Sequence, residues 1–336
     1  MMLAEPSFWC LEALQCFKTY DKVAGNNYLI RAGDIQRICV GSKYTQSKEK
    51  KQSMKATREY IQNHPVPAYI ILTFIISWGG VLILGAPYGM PATSQAFEAN
   101  YPIVFIPYLL GPLLSSLILT GLVDGKEGFR KLGARLSAWR AGFPWYAKAV
   151  LLAPALPTGL LFALSLLSKA YLPAVVTSTE KASLLLMGIS IGFFGGGLME
   201  EPGWTGFMIP RLRQQHNLLS TGLITGFLWG VWHILPTYWG SGDADGVLSL
   251  SLLLPPLFFY MAVLPAYRVL MVWVYDNTHS LPVIMLMHAS LTASTLFILA
   301  PAVQGMQLFF YYLALAAVLW LIALIVMRNQ LRSGSQ

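Results

Sequence analysis

Charge is what this sequence has least of. Only 11% of its 336 residues are Asp, Glu, Lys or Arg, and 55% are hydrophobic, whereas an ordinary soluble domain is about 25% charged. Such a chain cannot clothe a water-facing surface, which excludes a soluble globular protein and makes it an integral membrane protein. Cysteine is scarce as well. Cys10, Cys16 and Cys39 lie near the start of the chain, in no metal-ligand or disulfide spacing, and read as reduced thiols on a cytosolic leader. The chain has no G-x-S-x-G elbow and no H-E-x-x-H pair, so neither a serine-hydrolase elbow nor a soluble-type zinc protease is expected. No fixed-period repeat is visible, no pair of broken helices announces a two-fold transporter, and no secretory signal stands at the start. The net charge of +8 would suit nucleic acid, but its basic residues fall in particular loops, the pattern of membrane orientation.

What is present is long apolar runs. About 17 to 25 apolar residues without charge are needed to cross ~30 Å of hydrocarbon with the backbone satisfied. Eight windows qualify, near residues 68–86, 102–123, 149–168, 183–199, 218–236, 247–267, 281–300 and 307–327. The predicted fold is therefore all-α, a polytopic membrane bundle of about eight transmembrane helices. Summed over alternate connecting segments, 21 basic residues fall on one side and 2 on the other, which places both termini in the cytoplasm of a plasma-membrane protein. Arg268 is counted here as a loop residue. Residues 1–67 form a polar extension with a basic run at 47–55, expected to be a disordered tail and dispensable over 1–53. Residues 68–327 form the bundle, with a catalytic core at about 183–300, and residues 328–336 form a cytoplasmic tail.

Four titratable groups remain at membrane depth: Glu200, Glu201, His233 and His288. A charge near the bilayer centre costs about 2.5–3.5 kcal/mol on insertion scales, so adjacent glutamates there need polar partners or a wet cavity. At 1.5 Å per residue, measured from the cytoplasmic ends of their helices, Glu200 lies ~15 Å deep, His233 ~22 Å and His288 ~10 Å. They could line one cavity, expected to open toward the cytoplasm. Gly195, Gly196 and Gly197 remove bulk just before the carboxylates, and Pro202 cannot donate to the carbonyl of Leu198, so a kinked, accessible helix is expected. Adjacent helical residues diverge by ~100°, so Glu200 and Glu201 should not share a proton; one faces the cavity and the other anchors the helix. His288 and Thr292, four apart, share a face and could stabilise an oxyanion. Glu200, His233 and His288 could also hold a divalent metal such as zinc.

The run EEPGWTGFMIPRL from Glu200 to Leu212, then WGVWH ending at His233, then MLMHAS containing His288, resembles the CPBP family of intramembrane proteases. That family includes the type II CAAX prenyl endopeptidases and bacterial relatives linked to bacteriocin processing or self-immunity. Glu200, Glu201, Trp229, His233 and His288 match its motif positions. Thr205 stands where the family has Arg, and Thr292 where it has Asn. The resemblance implies that Glu200 and His233 activate the hydrolytic water while His288 helps to stabilise the oxyanion, and it leaves open whether a metal or a Glu-activated water carries the reaction. With the Arg missing, Arg211 or a hydrogen bond from Thr205 would have to hold Glu201.

The expected function is thus an intramembrane endopeptidase, a CAAX protease-like hydrolase or metalloprotease. Its partners are membrane lipid and a membrane-associated or prenylated protein or peptide, with no nucleic acid. The alternatives are a non-catalytic immunity or scaffold protein of the same fold, which the missing Arg and Asn favour, and a proton-coupled transporter.

Overall fold

The computed structural model describes residues 52–333 except residue 54. The leader reading on residues 1–51, with its three cysteines, lies outside the described residues. The chain divides into two units, 1–64 and 65–336. In the first, residues 55–63 are helical, with Lys55 and Glu59 paired at 3.8 Å across one turn.

In the second unit, all regular structure among the described residues is helical. Eight helices are long and apolar enough to cross a membrane. We label them, with one amphipathic helix, in chain order: α1 Pro65–Tyr88, α2 Ser94–Val123, α3 Gly125–Leu136, α4 Phe143–Ser165, α5 Lys181–Leu212, α6 Leu218–Trp239, α7 Leu250–Thr278, α8 Leu281–Ile298 and α9 Gly305–Gln330. α3 is the amphipathic one: it lays Leu132 against Leu281 and Met285 and leaves Lys131 exposed. Large apolar side chains such as Ile71, Ile75, Phe162, Leu186 and Leu321 are exposed on the spanning helices. On a soluble protein such a belt would be an aggregation surface; on a multi-pass membrane protein it faces lipid.

The starts of several helices are set locally. The side chains of Thr93, Asn217 and Ser280 accept hydrogen bonds from the backbone N–H three residues on, satisfying donors that the first turn leaves orphaned.

Close helix packing follows from glycine. On α6, Gly222, Gly226 and Gly230 recur every four residues on the face against α7. A Cβ at Gly222 would stand 2.7 Å from the Cα of Val269, one at Gly226 2.5 Å from the Cα of Pro265, and one at Gly230 would meet the carbonyl oxygen of Tyr260. With lipid as apolar as the side chains, such close backbone approach supplies the van der Waals contact that holds membrane helices together.

The fourth span, written above as the uncharged window 183–199, runs on past the carboxylates to Leu212, as the ~15 Å depth given to Glu200 assumes. Pro202 is absorbed because the helix widens to i→i+5 turns on both sides of it, at Ile191–Leu198 and Trp204–Met208; such turns release the strict i→i+4 ladder that proline would break. The sixth span does not stop at Tyr267 but continues to Thr278, so Arg268 lies inside α7 and not in a loop. Its side chain is completely buried.

Candidate active site

The wide turns surround one place in the bundle. They precede and follow Glu200 on α5, hold Tyr260 on α7 at Phe259–Val263, and follow Thr292 on α8 at Ala293–Ile298. Wide turns inside α-helices are frequent at functional sites because they re-aim side chains. Here they lie on three helices, α5, α7 and α8, that border a common cavity.

That cavity has a volume of about 110 Å³ and is lined by Glu200, Trp229, His233, Tyr260, His288 and Thr292 among others. Residues far apart in the chain are thus brought together, as their depths suggested. Glu201 is not among the cavity's lining residues, and the divergence of adjacent helical side chains accounts for it. Glu200 reaches toward α6, where its Oε2 accepts a 2.7 Å hydrogen bond from Trp229 Nε1. Glu201 reaches toward α7 and α8, where its Oε1 accepts from His288 Nδ1 at 2.7 Å and from Arg268 Nη1 at 3.0 Å.

Arg268 is the residue of this cluster that sequence reasoning missed. Its Nη1 lies 3.0 Å from both Glu201 oxygens and 3.4 Å from Thr205 Oγ1, and its guanidinium centre stands 4.1 Å over the Trp229 ring. Both members of the Arg268–Glu201 pair are fully buried. A lone carboxylate at this depth would be strongly disfavoured, and a partnered one persists. Thr205 Oγ1 also donates to Glu201 Oε2, as its position one turn along allows. Arg211 does not take part: it pairs with Asp124 and caps the carbonyl of Phe207. The cation at the site is therefore supplied from α7 instead of from four residues after Glu201.

Two imidazoles are oriented by the other atoms they touch. His233 sits at an interruption of α6, between Trp232 and Ile234. Its Nδ1 is 2.8 Å from the carbonyl oxygen of Trp229; a carbonyl only accepts, so Nδ1 carries the proton and neutral His233 has its lone pair on Nε2. Its ring stacks on Tyr260, centroids 4.1 Å apart. His288 is fixed through Nδ1 by Glu201, and its Nε2 stands 3.9 Å from Glu200 Oε1. That separation is too long for a hydrogen bond and suits a shared water. A Cβ at Gly196 would lie 2.7 Å from His288 Nε2 and 3.0 Å from Thr292 Oγ1, so the glycine leaves open the space that both groups border.

The cavity lies toward the helix ends away from the basic loops. Its wall includes Tyr101 and Phe105 near the start of α2 and Leu296 and Phe297 near the end of α8. Toward the basic loops, Arg135 Nη1 donates to the carbonyl of Gly206 at 2.8 Å, and Leu132 packs on Leu281 and Met285; none of these residues lines the cavity.

The fit of a metal can be judged from the donors. Among the described residues no three His, Cys, Asp or Glu side chains are grouped so as to hold an ion. The Nδ1 atoms of His233 and His288 are already engaged. Such a bond at one ring nitrogen is also what a metal-ligating histidine makes, so it does not bear on Nε2; no step below passes through a metal.

Residues 181–294 match the family model described as type II CAAX prenyl endopeptidase Rce1-like. The matched segment spans α5, α6, α7 and most of α8, and carries Glu200, Glu201, His233, Arg268, His288 and Thr292. A comparison with curated proteins finds no match. The matched family is one of CAAX protease-like membrane hydrolases, which accords with eight membrane-length helices around a buried polar cavity.

Proposed function

We propose that the protein is an intramembrane endopeptidase in which a water held between Glu200 and His288 attacks a peptide carbonyl. The observation that carries this reading is the 3.9 Å gap between Glu200 Oε1 and His288 Nε2, bordered by Thr292 and His233 in one cavity. Glu200 Oε1 takes a proton from the water as the new C–O bond forms; its Oε2 is held by Trp229, so the carboxylate is oriented before substrate arrives. Thr292 Oγ1 and the protonated form of His288 donate to the oxyanion. The C–N bond then breaks, and Glu200 returns the proton to the leaving amine. Neutral His233 accepts through Nε2 and helps to hold the water. Glu201, clamped by Arg268 and Thr205, is a positioning residue that fixes His288.

The substrate is a membrane-associated or prenylated protein or peptide, the setting is the plasma membrane, and both termini are cytoplasmic. The match to a CAAX protease-like family supports hydrolysis, and the charge asymmetry of the loops supports the orientation.

Purified protein reconstituted in lipid, assayed on quenched-fluorescent apolar peptides, tests the reading. Removing a general base costs about 10²–10⁴ in rate. Glu200→Gln is therefore expected to lower kcat by at least 100-fold without loss of membrane-inserted protein, and His233→Ala to lower it by a smaller factor. Glu200→Gln that cleaves as fast as the native chain overturns the reading. An intact cellular role in that variant would instead favour a peptide-binding immunity or scaffold protein.

A further inference from the structure

A second chamber adjoins the reaction cavity. It has a volume of about 320 Å³ and shares Tyr101, Phe105, His233, Tyr260, Leu296 and Phe297 with the first. Its remaining wall is drawn from the start of α2, the end of α6 and the start of α7, through Phe97, Gly240, Ser241 and Leu252. All of these lie at the helix ends away from the basic loops. No Asp, Glu, Lys or Arg lines the chamber.

Its rim differs in charge. The 240s segment is tied to the start of α2, with Ser94 N donating to the carbonyl of Asp243 at 3.0 Å and Ser94 Oγ to that of Gly242 at 3.1 Å. These two stretches, 86–101 and 237–252, contain Glu98, Asp243 and Asp245 and no Lys or Arg.

We infer that the chamber is the entrance to the reaction cavity, and that it admits an uncharged, apolar peptide segment flanked by basic residues from the face opposite the basic loops. By the charge asymmetry of the loops that face is extracytoplasmic. The choice of occupant follows from the lining and the rim. A charged side chain drawn past Phe97, Leu252 and Tyr260 would find no partner there, whereas a basic flank left at the rim meets three carboxylates and is steered toward them. The entrance is a statement about space; the assignment of the occupant as substrate rests on the hydrolytic reading above and takes from it the membrane-associated peptide, not the prenylated protein, whose lipidated end lies on the cytoplasmic face.

The test uses the full chain with Cys10, Cys16 and Cys39 replaced by serine. Thr292→Cys is added to a Glu200→Gln background so that labelling does not depend on turnover. The new thiol is expected to react with a small membrane-impermeant thiosulfonate applied to the outside of intact cells, as Asp245→Cys does, while Lys131→Cys reacts only after permeabilisation. Leu252→Trp, which fills the chamber, should slow the labelling of Thr292→Cys at least tenfold; Thr237→Tyr is a second plug from the facing wall should the first fail to fold. Labelling only from the Lys131 side, or no slowing by either plug, overturns the entrance. In the native chain, apolar peptides with lysine flanks are expected to be cleaved at least tenfold more efficiently than those with glutamate flanks at low salt, the difference shrinking in high salt. Equal cleavage of the two overturns the assignment of the occupant. Normal labelling in a chain that cleaves nothing supports the entrance and removes hydrolysis instead.

Discussion

At the scale of single residues, Arg268 shows what a sequence window discards. A window that ends at every charge stops the sixth span at Tyr267, and a tally of basic loops then absorbs Arg268 without conflict. The signal against this is local: Arg268 is followed by the uncharged run VLMVWVY up to Tyr275, too apolar for a loop. No amount of sequence reading pairs it with Glu201, because the two meet only when α5 and α7 pack. The titratable groups Glu200, His233 and His288 were legible for the opposite reason. A lone ionisable group inside an apolar run is costly wherever its helix packs, so its presence alone signals a polar pocket. The buried pair also predicts its own mutational behaviour. Removing one partner of a buried ion pair costs about 3–5 kcal/mol, because the other is left uncompensated. Arg268→Leu is therefore expected to destabilise the protein by that order, and Arg268→Lys by less, since a lysine keeps the charge but not the planar stack on Trp229. Arg268→Leu combined with Glu201→Gln should recover part of the loss. Thermal unfolding of the native chain, Arg268→Leu, Glu201→Gln and the double variant in one detergent closes the cycle; additive losses would show that the pair contributes no coupling.

At the scale of helices, the apolar runs were read to within a few residues at most ends, because hydropathy alone fixes where a helix can lie in lipid. Their internal form was not. The wide turns at Ile191–Leu198, Trp204–Met208, Phe259–Val263 and Ala293–Ile298 are five to eight residues each, too short for a change of period to stand out against an all-apolar background. The stripe Gly222, Gly226, Gly230 was legible in principle as small residues four apart, yet only the three consecutive glycines before Glu200 drew notice. Space around each glycine separates their roles. Gly222→Ala and Gly226→Ala would press a methyl into the α7 backbone at 2.7 and 2.5 Å, and overpacking of this kind costs about 1–3 kcal/mol. Gly159→Ala on α4 meets nothing within 4 Å, and should be neutral or stabilising by about 0.5–1 kcal/mol, as for glycine replaced in an unhindered helix. Unfolding measurements on the three single variants are expected to fall in that order. Equal effects would remove close approach as the reason for the stripe.

At the scale of the whole molecule, orientation and number of spans come from sums over the chain, which sequence supplies, while the direction in which the cavity opens depends on which side chains meet between helices, which it does not. Depth arithmetic expects Glu200, His233 and His288 to line one cavity, and they do, but depth is measured from both ends at once. The end is read from the lining, which continues past Tyr101, Phe105, Leu296 and Phe297 to Phe97 and Leu252.

The same sums make the spans unequal in their tolerance of charge. Of the eight, α9 is the most apolar and α6 the least. A single Lys or Arg at a helix centre adds about 2.5–3.5 kcal/mol to insertion wherever it is placed, so its consequence depends on how much favourable transfer the rest of the helix provides. Leu321 on α9 and Phe227 on α6 are both exposed on the helix surface, so a change at either leaves the cavity untouched. Leu321→Arg is expected to leave α9 inserted, whereas Phe227→Arg, with the same cost against a smaller margin, should leave a large fraction of chains with α6 outside the bilayer and without the site, since Trp229 and His233 travel with it. Protease protection of a tag placed after each helix, in membranes expressing the two variants, reads the inserted fraction directly. Equal insertion of both would mean that α6 is held in the membrane by α7 packing through its glycine stripe and not by its own transfer free energy, and Gly226→Ala combined with Phe227→Arg would then expel it.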